Sequence, residues 1–313
     1  MPQFDVTIAG ELNLDLILYG LPSELPPERE LLAEEMTLTL GSSSAIVAHN
    51  LAALGNKVGF VSCIGDDPPG EIALQRLGES GVDVSRVRRL PDRKTGLTVI
   101  LQRGGGRNIL TYPGTIFDLG PEHLDFSYLS SARHFHLSSY YLQRGLRPGV
   151  PELLRRLKAA GLTVSLDPND DPEDRWNRGL EQALRHVDVF LPNAREARRI
   201  AGSEDLETAA ARLSTMVKTL VVKCGASGAI AWRGSERFGS PALALEPVDP
   251  VGAGDSFDAG FLHHFLGGKD LPACLKAGNI AAALSTTRPG GTEALRDGKH
   301  REQFLREHLF LED

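Results

Sequence analysis

The segment DPVGAGDSF, residues 249–257, lies late in the chain, where Phe257, Phe261 and Phe265 recur at helical spacing. Glycines before a helix start allow backbone N–H groups to converge on an anion, and the helix dipole adds positive potential there. The carboxylate of Asp255 would lie beside that anion. The pattern therefore predicts phosphoryl transfer to a hydroxyl, with the amides receiving charge and the carboxylate taking the proton. A helix start whose glycines serve tight packing is the competing interpretation.

Around this segment, short apolar runs alternate with helical periodicity. The runs of strand length are residues 6–10, 58–62, 163–166, 187–191 and 220–222. The helical patterns cover residues 45–54, 72–77, 151–159, 194–201 and 205–215. Strands that alternate with helices are typical of a parallel sheet covered on both faces, so we predict an α/β fold.

Two regions interrupt the alternation. Residues 16–40 contain three prolines and then a β-rich run at 36–40, and residues 96–112 have the pattern of a hairpin around Gly104, Gly105 and Gly106. No helix follows the three glycines, which favours a turn over a phosphate loop. We expect these two regions to form a small β-sheet lid over one edge of the main sheet.

Composition excludes several classes of function. The chain has 313 residues, 41% of them hydrophobic, and a net charge of -7 with scattered Lys and Arg, which argues against nucleic acid and anionic membranes as partners. Its three cysteines, Cys63, Cys224 and Cys274, are far apart and predict small core side chains rather than disulfides. The first residues lack a secretory pattern and no apolar run reaches membrane-spanning length, so a cytoplasmic location is expected.

The long motif, DPVGAGDSF followed by AGF at 259–261 after Asp258, closely resembles the second signature of the ribokinase-like (PfkB) family of carbohydrate kinases. Other stretches resemble the family in the same order, beginning with GELNLD at residues 10–15. The resemblance implies a ribokinase-like three-layer α/β/α domain with a mostly parallel sheet and a β-sheet lid, spanning residues 1–313 as one kinase domain. It assigns Asp255 as the base, and the backbone of Gly252, Ala253 and Gly254 as the anion hole.

On the acceptor side, the resemblance implies contacts with sugar hydroxyls. The residues at matching positions are Asn13, Asp15, Gly41, Ser42 and, at the end of a later strand, Asp167. The chain departs from the first family signature, because Ser42 occupies the place of a second glycine and Ile46 that of an Asn. Asn50, one helical turn further on, is interpreted as a surface or capping residue.

On the nucleotide side, NARE at residues 193–196 matches the family's N-x-x-E, which implies that Asn193 and Glu196 organise magnesium and phosphate. A helix cap is the competing interpretation of both residues, and the two are compatible. The resemblance also implies ATP contacts from Lys223, Gly225, Ser227, Gly228 and Asn279. Asp249 and the Val251 carbonyl occupy the place where many relatives bind a monovalent cation such as K⁺.

We therefore predict an ATP- and Mg²⁺-dependent kinase for a sugar or sugar-like small molecule, with a homodimer through the lid as an added possibility. A nucleoside acceptor is the alternative within the family, and a non-catalytic sugar- or nucleotide-binding regulator is the alternative outside catalysis. A dinucleotide-dependent oxidoreductase is disfavoured, since the first strand ends in GELN without a G-x-G-x-x-G fingerprint. His134 and His136, which flank Phe135 on a strand-like run, are interpreted as structural.

Overall fold

The structure, a computed structural model, describes residues 2–104, 106–177 and 179–309. Its strands are Phe4–Ala9 (β1), Leu14–Leu21 (β2), Glu35–Leu40 (β3), Val58–Gly65 (β4), Asp83–Leu90 (β5), Leu97–Arg103 (β6), Gly106–Tyr112 (β7), Ala132–Leu137 (β8), Thr163–Leu166 (β9), Val189–Phe190 (β10), Thr219–Lys223 (β11), Ala229–Arg233 (β12) and Glu236–Ser240 (β13). Its helices are Ser43–Ala53 (α1), Pro68–Glu79 (α2), Phe126–Leu129 (α3), Val150–Ala159 (α4), Leu180–Leu184 (α5), Ala194–Ala201 (α6), Leu206–Ser214 (α7), Ala253–Leu266 (α8), Leu271–Ser285 (α9), Glu293–Arg296 (α10) and Gly298–Leu309 (α11).

Nine strands form the main sheet, in the order β13-β12-β11-β10-β9-β8-β1-β4-β5. The pairs from β5 to β11 are parallel, and only β12 and β13 run antiparallel to their neighbours. Central strands such as β4 are buried along their whole length, which is why they appear in the sequence as continuous apolar runs.

Helices cover both faces of this sheet. On one face α4 to α7 pack against Phe135, Leu166 and Phe190, and on the other α1, α2, α8 and α9 pack against Ile8, Phe60 and their neighbours. The predicted three-layer α/β/α architecture is confirmed. Because β1, β8, β9, β10 and β11 are parallel, their carboxyl ends meet at one edge, and the polar residues after them are brought together there.

Four strands form a separate sheet in the order β3-β2-β6-β7, and we call this sheet the lid. The predicted second sheet is confirmed, although β2 begins at Leu14 and residues 22–34 lie outside its strands. The predicted turn at the three glycines includes Gly105, which lies outside the described residues; β6 and β7 on either side pair antiparallel, as a hairpin requires.

Two edge strands, β5 and β13, were missed by the sequence analysis because their patterns are largely polar. β5, DVSRVRRL, lies at the edge of the main sheet and is only partly covered, so its charged side chains remain in water. Cys63 and Cys274 are buried, as predicted, and Cys224 is half-buried. No helix in the described part of the chain has the length and apolar character needed to cross a bilayer.

His134 and His136 are fully buried in β8, and hydroxyl groups bond to both rings. His134 lies between the hydroxyls of Thr163 and Ser165, and His136 lies between those of Ser165 and Ser138, all at 2.7 Å. Burial lowers the pKa of His134 to about 3 and that of His136 to about 4, so both rings are neutral. These contacts support the structural interpretation of the two histidines.

Candidate active site

The GAGD motif forms the N-terminus of α8, at the edge where the parallel strands end. Gly252 is the N-cap in the left-handed region, with φ 73°, and a Cβ at this position would overlap Gly291. The Ala253 N–H bonds to the Pro250 carbonyl at 3.3 Å. Among the described residues, no acceptor takes the N–H groups of Gly252 and Gly254. These free donors at a helix N-terminus fit the predicted anion hole.

Asp255 lies in the first turn of α8 and is 8% exposed. Burial raises the pKa of Asp255 to about 7, and the charge of Asp167 adds to this, while Lys223 and a hydrogen bond with Ser43 act in the opposite direction. A carboxyl group with a pKa near 7 can accept a proton at neutral pH, as a general base must.

Asp15, in β2 of the lid, is buried and lies close enough to Asp255 for the two charges to interact. Burial raises the pKa of Asp15 to about 7, and Asp255 is the largest charge that adds to the effect. Gly41 makes room for this side chain, because a Cβ there would overlap Asp15 Oδ1. Two buried carboxyl groups, those of Asp15 and Asp255, therefore lie near one another. Asn13 is buried beside them and donates from Nδ2 to the Leu14 carbonyl at 3.1 Å.

Ser42 is the N-cap of α1 and has a positive φ of 63°, which an L-residue rarely adopts. Its hydroxyl accepts a hydrogen bond from Ala45 N–H and donates to the Glu11 carbonyl at 2.7 Å. A positive φ suits the glycine that the family signature has at this position, and the serine side chain serves the helix start. Positive φ at a residue other than glycine is typical of functional sites.

Two neighbours of Ser42 on α1 are fully covered by the loops around the GAGD motif. Ile46 is 2% exposed, and a Cβ on Gly291 would lie 2.8 Å from its Cδ1. Asn50 donates from Nδ2 to Ser256 Oγ and to the Gly291 carbonyl, both at 3.0 Å. The interpretation of Asn50 as a surface or capping residue was wrong: it is completely buried and ties α1 to the start of α8.

Lys223 and Asp167 meet in a buried cluster with Asp258, a residue that the sequence analysis missed. Lys223 Nζ lies 2.7 Å from Asp167 Oδ2 and 3.1 Å from Asp258 Oδ1. A Cβ on Gly254 would lie 3.7 Å from the same Nζ, so the ammonium lies directly beneath the GAGD turn. Asp258 could have been noticed as a carboxylate in the apolar run FDAGF, which needs a buried cation as its partner.

A second polar group was also missed. The Glu11 carboxylate is buried and accepts hydrogen bonds from the Ser44 N–H and hydroxyl, at 3.2 and 2.8 Å. Asn169, with φ 52°, donates from Nδ2 to the hydroxyls of Ser43 and Ser139. These groups follow β1, β8 and β9 and meet the start of α1, and they lie near Asp255, to which Ser43 bonds and on which the Glu11 charge acts. Glu11 has no sequence signal except its position after a buried strand, whereas Asn169 belongs to the segment DPN, residues 167–169, that resembles the family's D-x-N.

On the nucleotide side, Gly225–Ser227 forms a 3-10 turn after β11, and Gly228 leads into β12. A Cβ on Gly228 would overlap the Ser240 carbonyl, so this backbone packs closely. Asn279, in α9, donates from Nδ2 to the carbonyls of Ser240 and Pro241 at 3.0 Å each. Asn279 thus holds the end of β13 beside the turn, and its contact with a nucleotide stays a prediction.

Asn193 and Glu196 form a capping box at the start of α6: Asn193 Oδ1 accepts from Glu196 N–H, and Glu196 Oε2 accepts from Asn193 N–H at 2.8 Å. The helix-cap interpretation therefore holds, and the magnesium interpretation remains compatible with it. Burial raises the pKa of Glu196 to about 8, and Asp167 adds to the effect. The Glu196 carboxylate and the Asn193 amide oxygen are hard oxygen donors of the kind that Mg²⁺ takes through water, whereas the Asp167 carboxylate is already paired with Lys223.

Asp249 is fully buried, and four protein donors bond to its carboxylate: the N–H groups of Val251 and Gly290, the Tyr19 hydroxyl and the Gln102 amide. A carboxylate offers about four acceptor positions. These contacts do not fit a monovalent cation bound to Asp249, so the cation implied by the resemblance finds no free ligand on this side chain.

Comparison with known proteins agrees with this geometry. The profile of the pfkB family carbohydrate kinases matches residues 3–297. The chain is 31% identical over 249 residues to an uncharacterized sugar kinase of Archaeoglobus fulgidus, covering 78% of this chain and 97% of that protein. It is 32% identical over 281 residues to a cytidine kinase of Thermococcus kodakarensis, covering 88% of this chain and 94% of that protein.

Among solved structures, one similar chain is described as ribokinase II from E. coli, in complex with ATP and Mg²⁺. It superposes with a TM-score of 0.85 and 26% identity, covering 97% of this chain and 99% of that one. The family match spans nearly the whole chain, and the fold and motif order agree with it. The chain belongs to the PfkB family of carbohydrate kinases and is a phosphotransferase with an alcohol group as acceptor.

Proposed function

We propose that this protein transfers the γ-phosphoryl group of ATP to a hydroxyl of a sugar or sugar-like small molecule, with Asp255 as the base and the backbone of residues 252–254 as the anion hole. One observation carries the proposal. A buried carboxyl with a pKa near 7 lies in the first turn of the helix at whose start the N–H groups of Gly252 and Gly254 have no acceptor among the described residues. General base and anion site are thus within one helical turn of each other.

Asp255 orients the acceptor hydroxyl and takes its proton as the bond to phosphorus forms. In a loose transition state the proton moves late, so a base with a pKa near 7 is sufficient. The amides of Gly252 and Gly254 receive the charge that develops on the transferred group, aided by the dipole of α8. Asp15, in the lid, accepts hydrogen bonds from other acceptor hydroxyls and so orients the molecule.

Lys223 acts through the electrostatics of the site. Its ammonium lies beneath Gly254, where it adds positive potential under the anion hole and lowers the pKa of Asp255. Asp167 and Asp258 fix its position. We propose that Asp167 therefore serves the acceptor side mainly by holding Lys223, rather than by direct contact.

Glu196 and Asn193 are the residues that would hold Mg²⁺, through water, beside the ATP phosphates. Bound there, the metal supplies charge neutralisation for the phosphates. The capping box holds the Glu196 carboxylate in one position through its hydrogen bonds with Asn193.

A nucleoside is the second candidate acceptor, since a relative with 32% identity over 88% of this chain is a cytidine kinase. A panel of acceptors with ATP and Mg²⁺ separates the two. Ribose or another free sugar as the best substrate supports the first proposal, and a nucleoside as the best substrate supports the second.

Asp255→Asn tests the catalytic assignment. We expect turnover to fall by about two to four orders of magnitude, the range for an acid–base group, while ATP affinity changes little. Asp92→Asn, at an exposed position, is the matched control and should turn over normally. Near-normal turnover in a well-folded Asp255→Asn protein would refute the assignment, and the absence of ATP turnover with every acceptor would favour the regulator alternative.

A further inference from the structure

Asp249 joins the lid to the loop that precedes the anion hole. Its Oδ1 accepts from Val251 N–H at 3.0 Å and from Gln102 Nε2 at 3.2 Å, and its Oδ2 accepts from the Tyr19 hydroxyl at 2.7 Å and from Gly290 N–H at 2.9 Å. Val251 and Gly290 lie outside the lid. Tyr19 is in β2 and Gln102 in β6, so half of the donors come from the lid.

The lid also makes an apolar contact at the same point. Ile17 and Ile100, both buried, pack with Val251, and Tyr19 packs against this cluster. Val251 immediately precedes Gly252, the N-cap of α8. The lid therefore contacts the residues just before the proposed anion hole in two ways, through the Asp249 carboxylate and through the Val251 side chain.

The hydrogen bonds that the Asp249 carboxylate accepts are strong, and the one from Tyr19 persists across the neutral pH range. Burial raises the pKa of the Tyr19 hydroxyl, and the hydrogen bond with Asp249 adds to the effect, so the hydroxyl stays protonated and donates throughout the neutral range. Hydrogen bonds to a buried carboxylate are about twice as strong as those between neutral groups. A cation bound to Asp249 would have to displace at least one of them, since four donors already use the available acceptor positions.

We propose that Tyr19 and Gln102 take the place of the monovalent cation: they hold Asp249, and through its bonds to Val251 and Gly290 they position the loop that presents the anion-hole amides. The inference rests on the proposed kinase function. Tyr19 is a positioning residue, because it acts through Asp249 rather than on a substrate. The phosphoryl transfer of this protein therefore does not require K⁺.

Tyr19→Phe tests this, because it removes one donor and frees one acceptor position on Asp249 without changing the ring. We expect the unaltered protein to turn over at the same rate, within about twofold, in K⁺ and in tetramethylammonium buffers. Tyr19→Phe should lose about tenfold in kcat in tetramethylammonium, the scale of one hydrogen bond to a charged group, and recover when K⁺ is added. Tyr112→Phe, on the 55% exposed tyrosine at the lid edge, is the matched control.

Thermal melting without substrates supplies a readout that does not depend on turnover. K⁺ should raise the melting temperature of Tyr19→Phe relative to tetramethylammonium, and should not raise that of the unaltered protein. The inference is overturned if the unaltered protein is active only with K⁺ or is stabilised by it, or if Tyr19→Phe matches the control in both buffers. If no acceptor is phosphorylated in either buffer, the kinase proposal fails, and the melting comparison still decides whether Asp249 binds K⁺.

Discussion

Lys223→Met is the substitution that most directly tests how the site is built. The ammonium is 11% exposed and lies 2.7 Å from Asp167 and 3.1 Å from Asp258, whose side chains are almost completely buried. Burial raises the pKa of Asp258 well above its usual value, and the charge of Asp167 adds to this increase. The pKa of Asp167 is lowered instead: burial acts to raise it, but Lys223 and Asp258 outweigh that effect. These opposite shifts make Asp167 the carboxyl that ionises more readily beside the Lys223 ammonium, and Asp258 the one that holds a proton more readily.

Methionine keeps the length of the side chain and removes the charge, so the Asp167 carboxylate is left buried without a cation. Breaking a buried pair in this way costs about 3–5 kcal/mol. At roughly 2–4 °C per kcal/mol for a protein of this size, the melting temperature should fall by about 10 °C. Lys218→Met, at an exposed position, is the control and should melt within about 2 °C of the unaltered protein.

The same substitution should change the pH dependence of activity. Lys223 lowers the pKa of Asp255, which is about 7 in the intact site, so its loss raises that pKa further. Below its pKa the base is protonated, and each unit of increase leaves about tenfold less ionised base at a given acidic pH. The acid limb of kcat/KM should therefore move to higher pH.

Asp258→Asn keeps the test informative if Lys223→Met does not fold. Since Asp258 holds a proton more readily than Asp167, an amide of the same shape should cost about 1 kcal/mol of stability, less than the loss of Lys223. Calorimetry and the pH profile of kcat/KM check both variants. An unchanged melting temperature and acid limb in Lys223→Met, or a loss in Asp258→Asn as large as that in Lys223→Met, would refute this account of the cluster.

Two further predictions concern the metal and the assembly. Glu196→Gln should raise the Mg²⁺ concentration needed for the half-maximal rate, while the amide keeps the helix cap; a change in thermal stability alone would leave only the cap interpretation. The lid should support a homodimer, because Met36 on one edge strand and Ile109 and Leu110 on the other are exposed. Sedimentation at several protein concentrations checks this, and a strict monomer would contradict it.

The fold was predictable because its signals are local. Runs such as residues 220–222 are apolar because both faces of a parallel strand are buried, and the patterns between them repeat at the helical period. The GAGD turn was predictable for the same reason, since the glycines, the helix start and Asp255 are adjacent in sequence. β5 was missed because an edge strand needs little apolar surface.

The contacts that tune the site were not predictable, because they join residues far apart in the chain. Lys223 meets Asp167 across 56 positions and Asp258 across 35, and Tyr19 meets Asp249 across 230. The hydrophobic periodicity of the sequence does not reveal such long-range pairs. For the same reason the raised pKa of Asp255 could not be foreseen: burial and the opposed charges of Asp167 and Lys223 set it, and all three depend on the assembled sheet edge.

Two interpretations are open for Ile46, which occupies the place of an Asn in the first family signature. If Ile46 faced the acceptor, the acceptor would be less hydroxylated there, and Ile46→Asn would improve the use of ribose or fructose. The alternative has Ile46 in the core. The structure favours the alternative, since Ile46 is 2% exposed and its Cδ1 packs against the backbone of Gly252 and Gly291.

We therefore expect Ile46→Asn to bury an amide among backbone atoms and methyl groups, at a cost of about 1–3 kcal/mol. Because Gly252 caps α8, the disturbance should also reduce kcat, with every acceptor affected alike. Ile46→Val, which removes one methylene and keeps the apolar contact, should cost about 1 kcal/mol and leave kcat nearly unchanged. Melting temperatures and an acceptor panel check both variants. If Ile46→Asn instead gains activity on ribose or fructose while losing it on the native acceptor, Ile46 faces the ligand and the packing argument is wrong.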